Sequence, residues 1–262
     1  MIMNEQIKAV FFDVDGTLLS HTLSDVPKST RNALKKLRRR GVVTVIATAR
    51  HMIDLDKMPV KDMKFDGYIT LNGQLTFDSN KKVYSCIPID KGEMEILAHI
   101  FKARKIPFAL VSETGDYINY VNDTVVSAQA QFNSDIPSIG EYKGEEIYQI
   151  MAFVSDHEKQ LLDDLLDECS ITTWSDTGID IIPREGGKTA GIRKFLEDNG
   201  LDPSQIMAFG DGENDIEMLQ FAGIGVAMGN GGEKVKAAAD YVTDTVDNGG
   251  IEKALRHFDL ID

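Results

Sequence analysis

Two cysteines among 262 residues, Cys86 and Cys169, argue against a disulfide framework and fit a reducing compartment. No apolar run approaches the ~20 residues that a helix needs to cross a bilayer. Met1 to Gln6 lacks both the basic start and the long apolar core of a secretory leader. These absences predict a soluble, cytoplasmic protein. Basic side chains are scarce too: 28 Lys and Arg stand against 42 Asp and Glu, for a net charge of −14. Nucleic acid and anionic membranes attract the opposite sign, so neither is an expected partner. Simple solubility accounts for the acidity. The five histidines show no metal-ligand spacing, and Trp174, the one tryptophan, reads as core rather than as a stacking platform.

What is present is apolar pattern and a set of carboxylates. With 42% hydrophobic and 27% charged residues, the chain can bury one large core or two modest ones. Ala9 to Phe12 reads as a buried parallel strand. Asp13 and Asp15 follow where it should end, and Gly16 lets the chain turn sharply. Side chains alternate along a strand, so the two carboxylates would share a face if the strand ran straight. About 4 Å apart, they would repel by roughly 4 kcal/mol at a protein-like dielectric. A positive group is expected between them, and hard oxygen ligands suit Mg²⁺.

Strand and helix patterns then alternate. Pro27 to Arg40 predicts a helix with Ala33, Leu34 and Leu37 on one face and Gly41 past its end. Val42 to Ala47 predicts a second buried strand, His51 to Met58 a short helix, and Gly67 to Thr70 a third strand. Asn72-Gly73 reads as a hairpin turn. This rhythm predicts an α/β fold with a doubly wound parallel sheet. Between residues 81 and 184 the pattern becomes α+β with antiparallel hairpins, including a helix over Val125 to Phe132 and another over Asp156 to Cys169. That stretch is read as an inserted domain, leaving residues 1–80 and 185–262 as a discontinuous core. The parallel rhythm returns with a helix over Lys188 to Asn199 and a strand over Ile206 to Phe209.

Four polar signals sit at strand or helix ends in the outer segments: Asp13 with Asp15, Thr48, Lys188, and Asp211 with Asn214 and Asp215. In open α/β sheets, ligands bind at the carboxyl ends of strands, where all four could meet. Taken singly, each has a plainer reading. Thr48 would serve as a helix N-cap, Lys188 as a solvated charge and Asp215 as a partner of a helix N-terminus; Gly229 to Gly232, outside those four, has the form of a phosphate nest but reads more simply as a plain loop.

In this order, Asp13-Val14-Asp15-Gly16-Thr17, Thr48, Lys188 and Gly210-Asp211-Gly212-Glu213-Asn214-Asp215 resemble the four motifs of the haloacid dehalogenase superfamily of phosphotransferases. The insert between the second and third motifs resembles the α/β cap of its Cof-type phosphatases. Ala49 departs from the usual Thr-Gly-Arg. The resemblance implies a Rossmann-like core, a cap that closes over it, and Mg²⁺-dependent hydrolysis of small phosphorylated metabolites. It makes Asp13 the nucleophile that forms an aspartyl phosphate, and Asp15 the acid–base group. Asp13, Asp211 and the backbone carbonyl of Asp15 would hold the metal. Thr48, Asn214 and Lys188 would hold phosphate. Asp215 would support a metal-bound water or Lys188. Asn72 and Arg50 are candidate substrate contacts, Arg50 having an acidic partner as its alternative.

Two other readings remain. A sugar phosphomutase of the same superfamily needs a second phosphate pocket. Residues 82–184 carry 8 basic against 18 acidic side chains, a balance of −10 that disfavours one. A non-catalytic metabolite-binding protein would have no need of both Asp13 and Asp15.

Overall fold

The apolar run near the start of the chain forms β1 (Ala9–Phe12), with all four residues buried. After it come α1 (Lys28–Arg39), β2 (Val43–Ala47), α2 (Met52–Leu55), β3 (Gly67–Thr70), β4 (Leu75–Asp78) and β5 (Val83–Cys86). The computed structural model describes residues 7–131 and 134–262. The reading of Met1 to Gln6 and the placing of Phe132 in a helix therefore lie outside the described residues. The chain divides into two units, one running to Ser85 and resuming at Gly187, the other Cys86–Gly186.

The second unit holds α3 (Lys91–Ala103), β6 (Phe108–Ser112), β7 (Gly115–Ile118), α4 (Asp123–Gln131), β8 (Ser138–Ile139), β9 (Gln149–Phe153), α5 (Asp156–Leu165), β10 (Cys169–Thr173) and β11 (Gly178–Pro183). The first unit resumes with α6 (Lys188–Asn199), β12 (Ile206–Gly210), α7 (Ile216–Phe221), β13 (Ile224–Ala227), α8 (Glu233–Ala238), β14 (Tyr241–Val242) and α9 (Gly250–His257).

The first unit's sheet runs β14-β13-β12-β1-β2-β3-β4-β5. From β14 to β3 every pairing is parallel, and β4 returns antiparallel beside β3. The turn at Asn72-Gly73 is legible in the sequence but β4 is not, because its Leu-Thr-Phe-Asp alternation lasts only four residues and is buried at Leu75, Thr76 and Phe77 alike. Ala9, Phe11, Val45 and Ala47 face Ile192, Phe195, Met218 and Leu219 of α6 and α7. On the opposite face, α1 buries Ala33, Leu34 and Leu37 and packs against α9. Helices on both faces explain why the strands read as continuous apolar runs. Phe12 lies beside Ile46 on one side and Phe209 on the other. That register aligns the ends of the three central strands at one edge.

The second unit's sheet runs β10-β11-β9-β6-β7-β8, antiparallel except for the β7–β8 pair. Met94, Leu97 and Phe101 of α3 and Leu162 of α5 bury one face. On the other, Val125 and Ala128 of α4 meet Ala109, Ile118 and Phe153. Trp174 packs edge-on to Phe153, ring centroids 5.8 Å apart. The helix read over Asp156 to Cys169 stops at Leu165, because the chain must extend to pair as β10. Glu93 Oε1 accepts the N–H groups of Asp167 and Glu168 just past that end.

Asp180 on β11 stands opposite Met151, with 9% of its surface exposed. Burial pushes its carboxyl up to about 7, against the opposing pull of the Gln149 and Trp174 side chains. A carboxyl whose folded value exceeds its ordinary 3.8 favours folding at low pH, and that contribution fades as pH rises to about 7. Asp180→Asn removes the titration. Its melting temperature relative to the unsubstituted protein should therefore climb between pH 4 and pH 8. A constant difference across that window would contradict this assignment.

Candidate active site

Asp13 continues β1 by donating its N–H to the Phe209 carbonyl, 3.0 Å away. Its carboxylate turns inward, and Lys188 Nζ lies 2.6 Å from Asp13 Oδ1 and 2.6 Å from Asp215 Oδ1. Lys188 is the first residue of α6 and is 2% exposed; Asp215 is fully buried. The other oxygen of Asp215 accepts the N–H groups of Asp211 and Gly212, both at 2.9 Å. One carboxylate thus fixes the ammonium and the loop that follows β12.

Asp211 completes an acidic group: one oxygen each from Asp13, Asp211 and Asp215 lie within 4.8 Å of one another. Asp211 Oδ1 accepts from Thr17 Oγ1 at 2.9 Å, and Oδ2 from Asn230 Nδ2 at 3.1 Å. Gly16 explains the close seat. Its φ is +80°, and a Cβ there would stand 2.2 Å from Asp211 Oδ2.

Three carboxylates against one ammonium leave excess negative charge. Burial pushes Asp211 up to about 6, and Asp215 adds to the rise, while the Thr17 hydroxyl opposes it. Burial likewise lifts Asp13 well above the usual carboxylate range; Lys188 pulls it back, and Asp215 and Asp211 add to the rise. Burial alone would lower Lys188, but the flanking Asp13 and Asp215 outweigh it and keep the ammonium charged. A hard divalent cation would relieve that imbalance, and the oxygens of Asp13 and Asp211 are the donors it prefers.

Asp15 has a different partner. Arg50 Nε lies 3.0 Å from Asp15 Oδ2 and Arg50 Nη2 lies 3.1 Å from Asp15 Oδ1, a two-pronged pair. Asp15 is the acidic partner that the sequence reading offered for Arg50. Thr48 follows β2 directly and is 1% exposed; its hydroxyl accepts the Arg50 N–H at 3.1 Å. The N-cap of α2 is His51, whose Nδ1 accepts from the Ile53 N–H, so Thr48 does not cap that helix. Asn72, in left-handed backbone at φ +53°, presents Oδ1 to Asn214 Nδ2 at 3.2 Å.

The structure therefore gathers Asp13, Lys188, Asp211 and Asp215 in one network, joins Asp15 to Arg50, and joins Asn72 to Asn214. Two residues in the network escaped sequence reasoning. Thr17 sits inside the first motif, where its hydroxyl was a visible signal. Asn230 lies in the Gly229–Gly232 loop, where nothing in the sequence marks its side chain for this site.

A parallel sheet with two aspartates after its central strand and a buried lysine at a helix start defines a phosphotransferase-type site. The sequence profile of the haloacid dehalogenase-like hydrolase family matches residues 10–255, and the chain belongs to that family. The structure of BT1666 from Bacteroides thetaiotaomicron, described among phosphatases of this superfamily, is 35% identical with a TM-score of 0.90, covering 98% of this chain and 96% of that one. The subclass IIB sugar phosphatase BT4131 is 33% identical with a TM-score of 0.84, covering 97% of this chain and all of that one. The 5-amino-6-(5-phospho-D-ribitylamino)uracil phosphatase YcsE of Bacillus subtilis (strain 168) is 29% identical over 97% of this chain and 96% of its own length. The protein is a phosphatase of the Cof type. No helix among the described residues is long and apolar enough to cross a membrane.

A cation binding at Asp13 and Asp211 must displace any proton held there. If Mg²⁺ binds there, the Asp211 proton should be released near pH 6, and that release should shrink towards pH 8 as Asp211 ionises on its own. Titration calorimetry in buffers of different ionisation heat reads the proton count directly. Binding at pH 6 with no proton release would contradict the raised value of Asp211.

Proposed function

We propose that the protein hydrolyses small phosphate monoesters with Mg²⁺, through an aspartyl phosphate on Asp13. The observation that carries this reading is the buried Lys188 ammonium shared by Asp13 and Asp215, with Asp211 alongside. Phosphate monoesters are inert, so turnover needs a positioned nucleophile and strong neutralisation of charge. Asp13 attacks phosphorus, and the bond to the leaving oxygen breaks. Asp15 gives that oxygen a proton. It then takes one from the water that attacks phosphorus, which frees phosphate and restores Asp13. Arg50 aims the Asp15 carboxylate through its two N–H bonds and must yield one oxygen for the proton transfer. Lys188, Thr48 and Asn214 serve the phosphoryl oxygens, with Asn72 orienting the Asn214 amide. Asp215 keeps Lys188 in place. Asp13, Asp211 and the backbone carbonyl of Asp15 would hold Mg²⁺, which supplies further positive charge for the phosphoryl group.

Sugar phosphates are the first substrate class proposed, in line with the sugar phosphatase among the similar structures. Phosphorylated cofactors such as FMN or pyridoxal phosphate come next. The inserted residues 81–184 are proposed as the specificity domain, and the cytoplasm as the site of action.

Chelation with EDTA should abolish turnover, and Mg²⁺ should restore it. Asp13→Asn should lose turnover of every ester. Asp15→Asn should lose on the order of 10²–10⁴-fold on alkyl phosphates, the usual worth of a general acid. It should lose far less on p-nitrophenyl phosphate, whose leaving group needs little protonation. Steady-state kinetics on the two ester types separates the roles. Equal losses on both esters in Asp15→Asn would remove Asp15 from the acid role.

A further inference from the structure

Asn230 sits outside every motif that the resemblance supplies, in the loop after β13. Its side chain nevertheless makes three hydrogen bonds to three separate segments. Asn230 Oδ1 accepts the Val246 N–H at 2.9 Å. Asn230 Nδ2 donates to the Gly16 carbonyl at 2.8 Å and to Asp211 Oδ2 at 3.1 Å. The first contact fixes the other two. Only an oxygen can accept the Val246 N–H, so the amide nitrogen must face Gly16 and Asp211. Both of its protons are then used, one on each acceptor.

We infer that Asn230 is a positioning residue for Asp211, setting the carboxylate in the orientation that a divalent cation requires. The inference rests on the metal reading of Asp13 and Asp211 given above. Asp211 has two side-chain supports, Thr17 on Oδ1 and Asn230 on Oδ2. Thr17 belongs to the same loop as Asp13 and Asp15. Among the described residues, Asn230 alone ties the carboxylate to the Val246–Asn248 turn, a 3₁₀ helix near the end of the chain. It also holds the Gly16 carbonyl, so the turn after β1 and the loop after β12 are kept at one separation. Gly16 is tight there, since even a Cβ on it would stand 2.2 Å from Asp211 Oδ2. Groups that orient a metal-binding carboxylate are typically worth 10–100-fold in metal affinity.

Asn230 is solvent-exposed, so truncating it leaves no buried hole. The experiment is Mg²⁺ titration calorimetry, with the metal alone, on the unsubstituted protein, Asn230→Ala and Asp211→Asn. Metal-free melting temperatures serve as the check on folding. Asn230→Ala should melt within a few degrees of the unsubstituted protein yet bind Mg²⁺ at least 10-fold more weakly. At saturating Mg²⁺ its KM for p-nitrophenyl phosphate should stay within about two-fold, so the defect lies in the metal and not in the ester. Asp211→Asn should lose measurable Mg²⁺ binding. Unchanged Mg²⁺ affinity in Asn230→Ala, beside a lost affinity in Asp211→Asn, would overturn the inference and leave the metal reading standing. Unchanged affinity in Asp211→Asn would overturn the metal reading, and the role of Asn230 with it.

Discussion

The Lys188 ammonium between Asp13 and Asp215 is the interaction on which the rest of the site depends. All three side chains are almost wholly removed from water. A charge placed there without partners would cost several kcal/mol, and breaking such a group by removing one member typically costs about 3–5 kcal/mol. The fold tolerates it because each member is satisfied more than once. Asp215 spends one oxygen on the ammonium and the other on two backbone N–H groups. Asp13 is held at the backbone by β12 and at the carboxylate by Lys188. If Asp13 is the nucleophile, as proposed, it is oriented before a substrate arrives, and pre-orientation is where much of the rate of a difficult displacement comes from.

The same network carries too much negative charge to be self-sufficient. Burial and neighbouring carboxylates push Asp13 and Asp211 up, while Lys188 balances only part of the total. On the proposed reading, that imbalance is what a divalent cation would relieve. Thr17 and Asn230 hydrogen-bond Asp211, and the close seat at Gly16 keeps it beside the turn after β1, the arrangement in which Asp13 and Asp211 would share one ion.

Much of this was legible in the residues. Lys188–Asn199 is a helix over the range read from the sequence, closed by Gly200 in left-handed backbone, and Gly67–Thr70 is a strand over its range. Asp156–Leu165 fell short of its reading because leucines at helical spacing also suit an extended approach to β10. β4 was missed because Thr76 breaks its apolar run and its alternation lasts only four residues. In the site, Asp13, Lys188, Asp211 and Asp215 carried a signal in their order along the chain. For Arg50 the sequence offered an acidic partner without pointing to Asp15, and the reach of Asn230 to Asp211 carried no signal. Such contacts depend on which loops the sheet brings together, and local spacing holds no record of that.

The central claim is that phosphate passes through Asp13. Rapid acid quench during turnover of p-nitrophenyl phosphate with Mg²⁺, followed by peptide mapping in a mass spectrometer, tests it most directly. The account predicts one added phosphoryl group on the peptide bearing Asp13, assigned to that carboxylate by fragmentation. A phosphoryl group found on another residue during turnover would contradict it.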